Sequence, residues 1–174
     1  MWVFGYGSLI WNPGFPVAER QVARLDGWHR SFCMRSIHHR GTIEEPGLVL
    51  ALDRAEGAHC DGVAFLVTPG EEGGTLATLR ERELISSAYL ETSLPVTLRD
   101  GCQVEALVYV IDPHHEQYCG GLPLEEQAHI ILQATGGRGP NRDYLYSTAH
   151  HLAELGIADD DLTWLDHRVR NLAG

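Results

Sequence analysis

Lysine is absent from the 174 residues, and all 13 basic residues are arginine. Without lysine there is no Schiff base, no pyridoxal-phosphate anchor and no P-loop ammonium. Positive charge is scarce overall: 24 Asp and Glu against 13 arginines leave a formal charge of −11. A nucleic-acid binder needs a basic stripe, and an anionic membrane surface calls for a polybasic segment, so neither partner is expected. No apolar run reaches the ~18 residues of a membrane helix. Cys33, Cys60, Cys102 and Cys119 form no C-x-x-C pair, which leaves a zinc ribbon or a thioredoxin-like site without support. The apolar start MWVFGYGSLIW has no basic n-region and contains Gly5, Gly7 and Asn12-Pro13. It reads as a first strand rather than an export signal. The economical expectation is a reduced, cytoplasmic protein whose cysteines pack as small hydrophobes.

What is present suffices for one core. Hydrophobic residues make up 44%, and 19 Gly and 8 Pro are too few for a low-complexity chain. The length fits a single domain over residues 1–174. Strands are expected at Val3–Ser8, Val22–Met34, Gly47–Asp53 and Gly62–Thr68, followed by a helix over Glu71–Ile85. A hairpin of Tyr89–Leu98 and Gln103–Ile111 should turn at Asp100-Gly101. Pro123 opens a helix that Gly136 stops. Asn141 is placed to cap the next, whose face is Leu145, Ala149, Leu152 and Leu155 and whose end is Gly156. Asp159 or Asp160 caps the last. The result is an α+β fold: a largely antiparallel sheet or barrel with helices concentrated in the C-terminal third.

Three groups of residues offer chemistry. In FGYGSLIW, Gly5 and Gly7 end the first strand, and successive N–H groups of such a turn can converge on an anion. The same residues fit a plain turn equally well. Ile10 stands where both GxGxxG and GxSxG need glycine, so neither a dinucleotide site nor a Ser8 nucleophile is supported. In LRERE, helical phase places Glu83 between Leu76 and Leu79 on one face of the helix, whereas Glu81 points away from that face. Glu83 therefore falls within the apolar stripe. A carboxylate there either forms a buried ion pair with one of the arginines or lines a cavity, where burial raises its pKa toward that of a useful general base. The histidine pairs His38-His39, His114-His115 and His150-His151 are adjacent, so each pair diverges and cannot share one ion. No metal is expected. Of the tyrosines, Tyr6, Tyr89, Tyr144 and Tyr146 suit ordinary packing, with Tyr144 set near a helix N-terminus that welcomes anions.

Together MWVFGYGSLIW, HHRGTIEEPGLVLAL, the Arg-Glu of LRERE and NRDYLY, in that order, resemble the ChaC-type γ-glutamylcyclotransferases over nearly the whole chain. The resemblance implies a small mixed β-barrel with peripheral helices. It implies an enzyme that converts glutathione to 5-oxoproline and Cys-Gly, needs no cofactor and acts as a monomer. By the same resemblance Glu83 is the catalytic base. Val3, Phe4, Gly5, Tyr6, Gly7, Ser8 and Leu9 form the substrate-binding loop, and Tyr144 is the late site tyrosine. One departure is visible: Leu84-Ile85-Ser86-Ser87-Ala88 precedes Tyr89, where eukaryotic relatives have a short glycine-rich link. Two other readings remain, a cyclotransferase for other γ-glutamyl amines or amino acids and a non-catalytic γ-glutamyl-binding protein.

Overall fold

The computed structural model describes residues 1–84 and 87–174. The helix end expected at Ile85 and the middle of the Leu84–Ala88 link lie outside the described residues. The fold gathers into two compact units, Met1–Arg30 with Leu52–His115 and Ser31–Ala51 with Glu116–Gly174.

Five strands close a barrel in the order β1 (Trp2–Gly5), β3 (Gly47–Val67), β2 (Val17–Ser36), β4 (Tyr89–Leu98) and β5 (Gln103–Ile111). β1 is antiparallel to β3 and parallel to β5, which makes the barrel mixed but mainly antiparallel. Flanked on both edges, β1 buries Val3 and Phe4 completely, and this explains its unbroken apolar run. Phe65, Leu25, Val96, Ala106 and Val108 are buried with them in this unit. The hairpin forms as expected: Gly101 adopts φ +90° and donates its N–H to Leu98 at 2.9 Å.

Two strand expectations need correction. Gly47–Asp53 and Gly62–Thr68 are the ends of one strand, β3. Its middle is polar because it is exposed, and neighbouring β2 holds it from the side. Arg24 grips Asp61 with two bonds of 2.8 and 3.1 Å, and Arg54 lies 5.9 Å from the Trp28 ring centroid. β1 ends at Gly5 rather than Ser8, and Ser8–Ile10 is a single 3-10 turn.

In the second unit, α2 (Leu124–Gln133), α3 (Asn141–Glu154) and α4 (Asp160–Ala173) pack pairwise on Ile131, Leu145, Leu152, Leu165 and Val169. α2 stops before Gly136, because Thr135-Gly136 (β6) turns back to pair with Gly139-Pro140 (β7). The N–H groups of Gly137 and Arg138 bind the carbonyls of His38 and His39 at 2.7 and 2.9 Å. A Cβ on Gly136 would meet the Gly41 nitrogen at 2.5 Å, so only glycine fits. Asn141 does not cap α3. Pro140 holds that position, and the fully buried Asn141 carboxamide donates to the Leu48 carbonyl and accepts from its N–H, both at 2.8 Å. Asp159 does cap α4, accepting from the Leu162 N–H at 3.0 Å. No helix among the described residues is long and apolar enough to cross a membrane.

These contacts set the expected cost of three substitutions. A Cβ on Gly62 would fall 2.3 Å from the Gly5 carbonyl oxygen, so Gly62→Ala should lose about 2–3 kcal/mol. Gly74→Ala on the exposed first turn of the helix Glu72–Glu83 meets nothing and should gain about 0.5–1 kcal/mol. Equal urea midpoints for the two variants would contradict the packing at Gly62. Asn141→Ala orphans both polar groups of Leu48 and should lose about 2 kcal/mol or more. A loss below about 0.5 kcal/mol would show that those groups find other partners.

Candidate active site

In the first unit the chain leaves β1 at Gly5 and turns tightly, since a Cβ on Gly5 would sit 3.0 Å from that of Leu9. Three successive carbonyls of the turn accept hydrogen bonds. That of Tyr6 binds Arg30 Nη1 at 3.2 Å, that of Gly7 binds the Ile10 N–H at 2.9 Å, and that of Ser8 binds the Asn12 N–H at 2.9 Å. In a trans peptide the N–H points opposite to the C=O. The N–H groups of Gly7, Ser8 and Leu9 therefore face away from those donors, in the arrangement that can meet an anion. Arg30 is only 4% exposed and also bonds the Asp61 carbonyl at 2.8 Å. The Tyr6 hydroxyl donates to the Tyr109 carbonyl at 2.7 Å. Val3 and Phe4 lie wholly inside β1.

The helix α1 (Glu72–Glu83) ends on the expected carboxylate. Thr75 and Leu79 are buried, Glu81 is exposed, and the Glu83 side chain is 16% exposed, as the phase argument requires. Glu83 Oε1 lies 3.4 Å from Arg82 Nε, so the arginine partner was a sound alternative as well. Arg82 then reaches the turn. Its Nη2 donates to Ser8 Oγ at 3.0 Å and its Nη1 to the Asn12 carbonyl at 2.6 Å. The Ser8 hydroxyl is thus an acceptor for a cation in this pairing.

A second carboxylate shares Tyr109 with the field of Glu83. Glu91 on β4 stands directly opposite Tyr109 on β5 and accepts its phenol proton at 2.9 Å. Arg80 of α1 binds the same carboxylate through Nη2 at 2.9 Å and Nε at 3.1 Å. The bond from Arg80, helped by that from Tyr109, holds the Glu91 carboxyl below the usual range against a smaller opposing effect of burial. Burial first, then the bond to Glu91 and the charges of Glu91 and Glu83, push the Tyr109 phenol well above its ordinary value. Tyr109 is therefore a neutral donor at any physiological pH.

Tyr144 belongs to the second unit. Its hydroxyl accepts the Leu50 N–H at 3.2 Å, its ring meets Phe32 edge-on at 6.0 Å, and Arg40 lies 5.7 Å from its centroid. The turn, Arg82 and Glu83 are thus brought together within one unit, and Tyr144 is placed by the other. Among the described residues no three His, Cys, Asp or Glu side chains gather as a metal site requires.

The sequence reading passed over Arg30, Arg82, Tyr109 and Glu91. For Arg82 a signal existed: on the same helical wheel it falls beside Thr75, next to Leu79 and the buried face. For Arg30 there was none, because its acceptors are backbone carbonyls set by the fold.

The family model described as ChaC-like protein matches residues 1–172. A glutathione-specific γ-glutamylcyclotransferase of Escherichia coli (strain K12) is 40% identical over 172 residues, covering 99% of this chain and 74% of that one. γ-Glutamylcyclotransferase 2-3 of Arabidopsis thaliana is 36% identical over 178 residues, covering 99% and 89%. A crystal structure of a γ-glutamylcyclotransferase specific to glutathione from yeast superposes with a TM-score of 0.88 at 25% identity, over 98% of this chain and 96% of that one.

The Tyr109 environment gives a direct check. In alkaline titration, the absorbance difference between the protein and Tyr109→Phe should stay flat through the ordinary phenol range near pH 10. A difference with its midpoint there would place Tyr109 in water instead.

Proposed function

The chain belongs to the ChaC-like family, and from that membership and the site we infer that it is an enzyme, a glutathione-specific γ-glutamylcyclotransferase. It converts glutathione to 5-oxoproline and Cys-Gly. The observation that carries the reading is the position of Glu83, half-buried at the end of α1 and joined through Arg82 to the turn after β1.

The reaction is an intramolecular acyl transfer. The α-amine of the γ-glutamyl group attacks its own side-chain carbonyl and closes a five-membered lactam, and the C–N bond to the cysteine nitrogen breaks. At neutral pH the amine is an ammonium and cannot attack until it loses a proton. Glu83 takes that proton and returns it to the departing nitrogen; the second proton, which the attacking nitrogen carries into the ring, is lost after closure and ends on Cys-Gly, whose amine leaves as an ammonium. General-base help of this kind is usually worth ~10²–10⁴-fold. The N–H groups of Gly7, Ser8 and Leu9 hold the α-carboxylate, with Val3, Phe4, Gly5 and Tyr6 supporting the turn from β1. Holding a flexible substrate in its ring-closing shape can recover as much as ~7–11 kcal/mol of the barrier. The oxyanion takes a hydrogen bond from a turn N–H or a tyrosine hydroxyl, a contribution often worth ~10²–10³-fold. The turn and Glu83 come from one unit of one chain, which supports action as a monomer. We place the reaction in the cytoplasm, where thiols such as these four cysteines stay reduced.

Purified protein incubated with reduced glutathione should release 5-oxoproline and Cys-Gly in equal amounts. Glu83→Gln keeps the volume but removes the base. It should lower the rate ~10²-fold or more with the fold intact, and Glu81→Gln should change little. A Glu83→Gln enzyme retaining over about a tenth of the rate would exclude this base. Intact glutathione alongside turnover of γ-glutamyl-alanine would move the specificity to other γ-glutamyl amines.

A further inference from the structure

Arg82 makes more bonds than an ion-pair partner of Glu83 needs. Its Nη2 binds Ser8 Oγ at 3.0 Å, and its Nη1 binds the carbonyls of Asn12 at 2.6 Å and Pro13 at 3.5 Å. Gly14, at φ +77°, carries the loop on around the guanidinium, where a Cβ would lie 3.4 Å from Nη1. Its Nε faces Glu83 at 3.4 Å, and the whole side chain is only 16% exposed. One planar group thus touches the turn at Ser8, the loop behind it and the terminal carboxylate of α1. A flat fork of N–H donors can satisfy acceptors on several sides, whereas an ammonium on a flexible stem cannot hold them in one plane.

We propose that Arg82 is a positioning residue that fixes the Tyr6–Asn12 turn in register with Glu83, so that the site holding the substrate's carboxylate and the base stand at a constant separation. The turn is held to β2 and β3 by Arg30 and to itself by short-range backbone bonds, and none of these bonds reaches α1. Arg82 does. Cyclisation requires the anchored end of the glutamyl group and the proton acceptor to be set within a fraction of an ångström, and a shift of about 1 Å can lower a rate ~10²-fold. The proposal rests on the reading of Glu83 as base and of the turn as substrate anchor.

The test compares wild type with Arg82→Lys, Arg82→Ala and Ser8→Ala, using glutathione kinetics and amide hydrogen exchange on the intact chain. Arg82→Lys keeps a cation beside Glu83 but loses the fork. Its kcat/KM should fall about 10²-fold, mainly through kcat. The Ile10 and Asn12 amides, which bond within the turn, should exchange at least about tenfold faster, while the β4–β5 ladder stays protected. Arg82→Ala, which also removes the cation, should lower kcat at least as far and raise KM as well. The effects of Arg82→Ala and Ser8→Ala should combine to less than their sum, because the two residues share a bond. Near-wild-type kcat and KM in Arg82→Lys with unchanged exchange at Ile10 and Asn12 would overturn the proposal. So would faster exchange throughout the barrel with unaltered kinetics per folded molecule, which marks a merely structural arginine. If wild type leaves glutathione intact, the functional reading fails by itself, and the exchange at Ile10 and Asn12 still decides whether Arg82 fixes the turn.

Discussion

Everything at the site follows from how the carbonyl groups of one turn are held. Tyr6, Gly7 and Ser8 each give their C=O to a donor, the first to the buried guanidinium of Arg30. Because trans peptides set N–H opposite to C=O, fixing three carbonyls also aims the three N–H groups that follow them. A protein of formal charge −11 has no long-range attraction for an anionic tripeptide. It needs local donors, and the backbone N–H groups of this turn, one of whose carbonyls Arg30 holds, are what the proposed anchor rests on in a chain without lysine. The packing around β1 serves the same end. Gly62 lets the Gly5 carbonyl approach closely, so the strand ends where the turn must begin.

The two carboxylates near the end of α1 have different surroundings, and these separate their roles. Glu91 is bound by Arg80 from one side and by the Tyr109 phenol from another, and those bonds hold it ionised and occupied. Glu83 faces the Arg82 Nε at 3.4 Å, a looser pairing than the one Glu91 makes. Tyr109 stays a neutral phenol between them, its proton committed to Glu91. With α1 ending on Glu83, Arg80 and Arg82 occupy its last turn, where cations suit the helix dipole. Their side chains reach in different directions, one to β4 and one to the turn.

Much of this was legible in the sequence because it is periodic or local. Helical phase singled out Glu83, Asp100-Gly101 marked the β4–β5 hairpin, and Asp159 capped α4 as its residue type predicts. The barrel, the late helices and the enzyme class matched expectation. What sequence reasoning missed depends on partners distant in the chain. Asn141 reads as a helix cap, yet its carboxamide is committed to Leu48, 93 positions away. The polar centre of β3 reads as a gap between two strands, because side chains on an exposed arm carry no apolar pattern. Helical phase puts Arg82 on the buried face, but its role is not legible there, because the acceptors that define it are a hydroxyl and carbonyls some 70 residues earlier. Arg30 gave no signal at all, since backbone acceptors leave no mark on residue type.

The central claim is that the substrate's own amine, not water, attacks the γ-glutamyl carbonyl. It is tested most directly by running the reaction in ¹⁸O-labelled water and weighing the products. Intramolecular attack predicts 5-oxoproline and Cys-Gly at their unlabelled masses and no free glutamate. Glutamate carrying one ¹⁸O would mean that water attacks. Glu83 would then be activating a hydrolytic nucleophile rather than an amine.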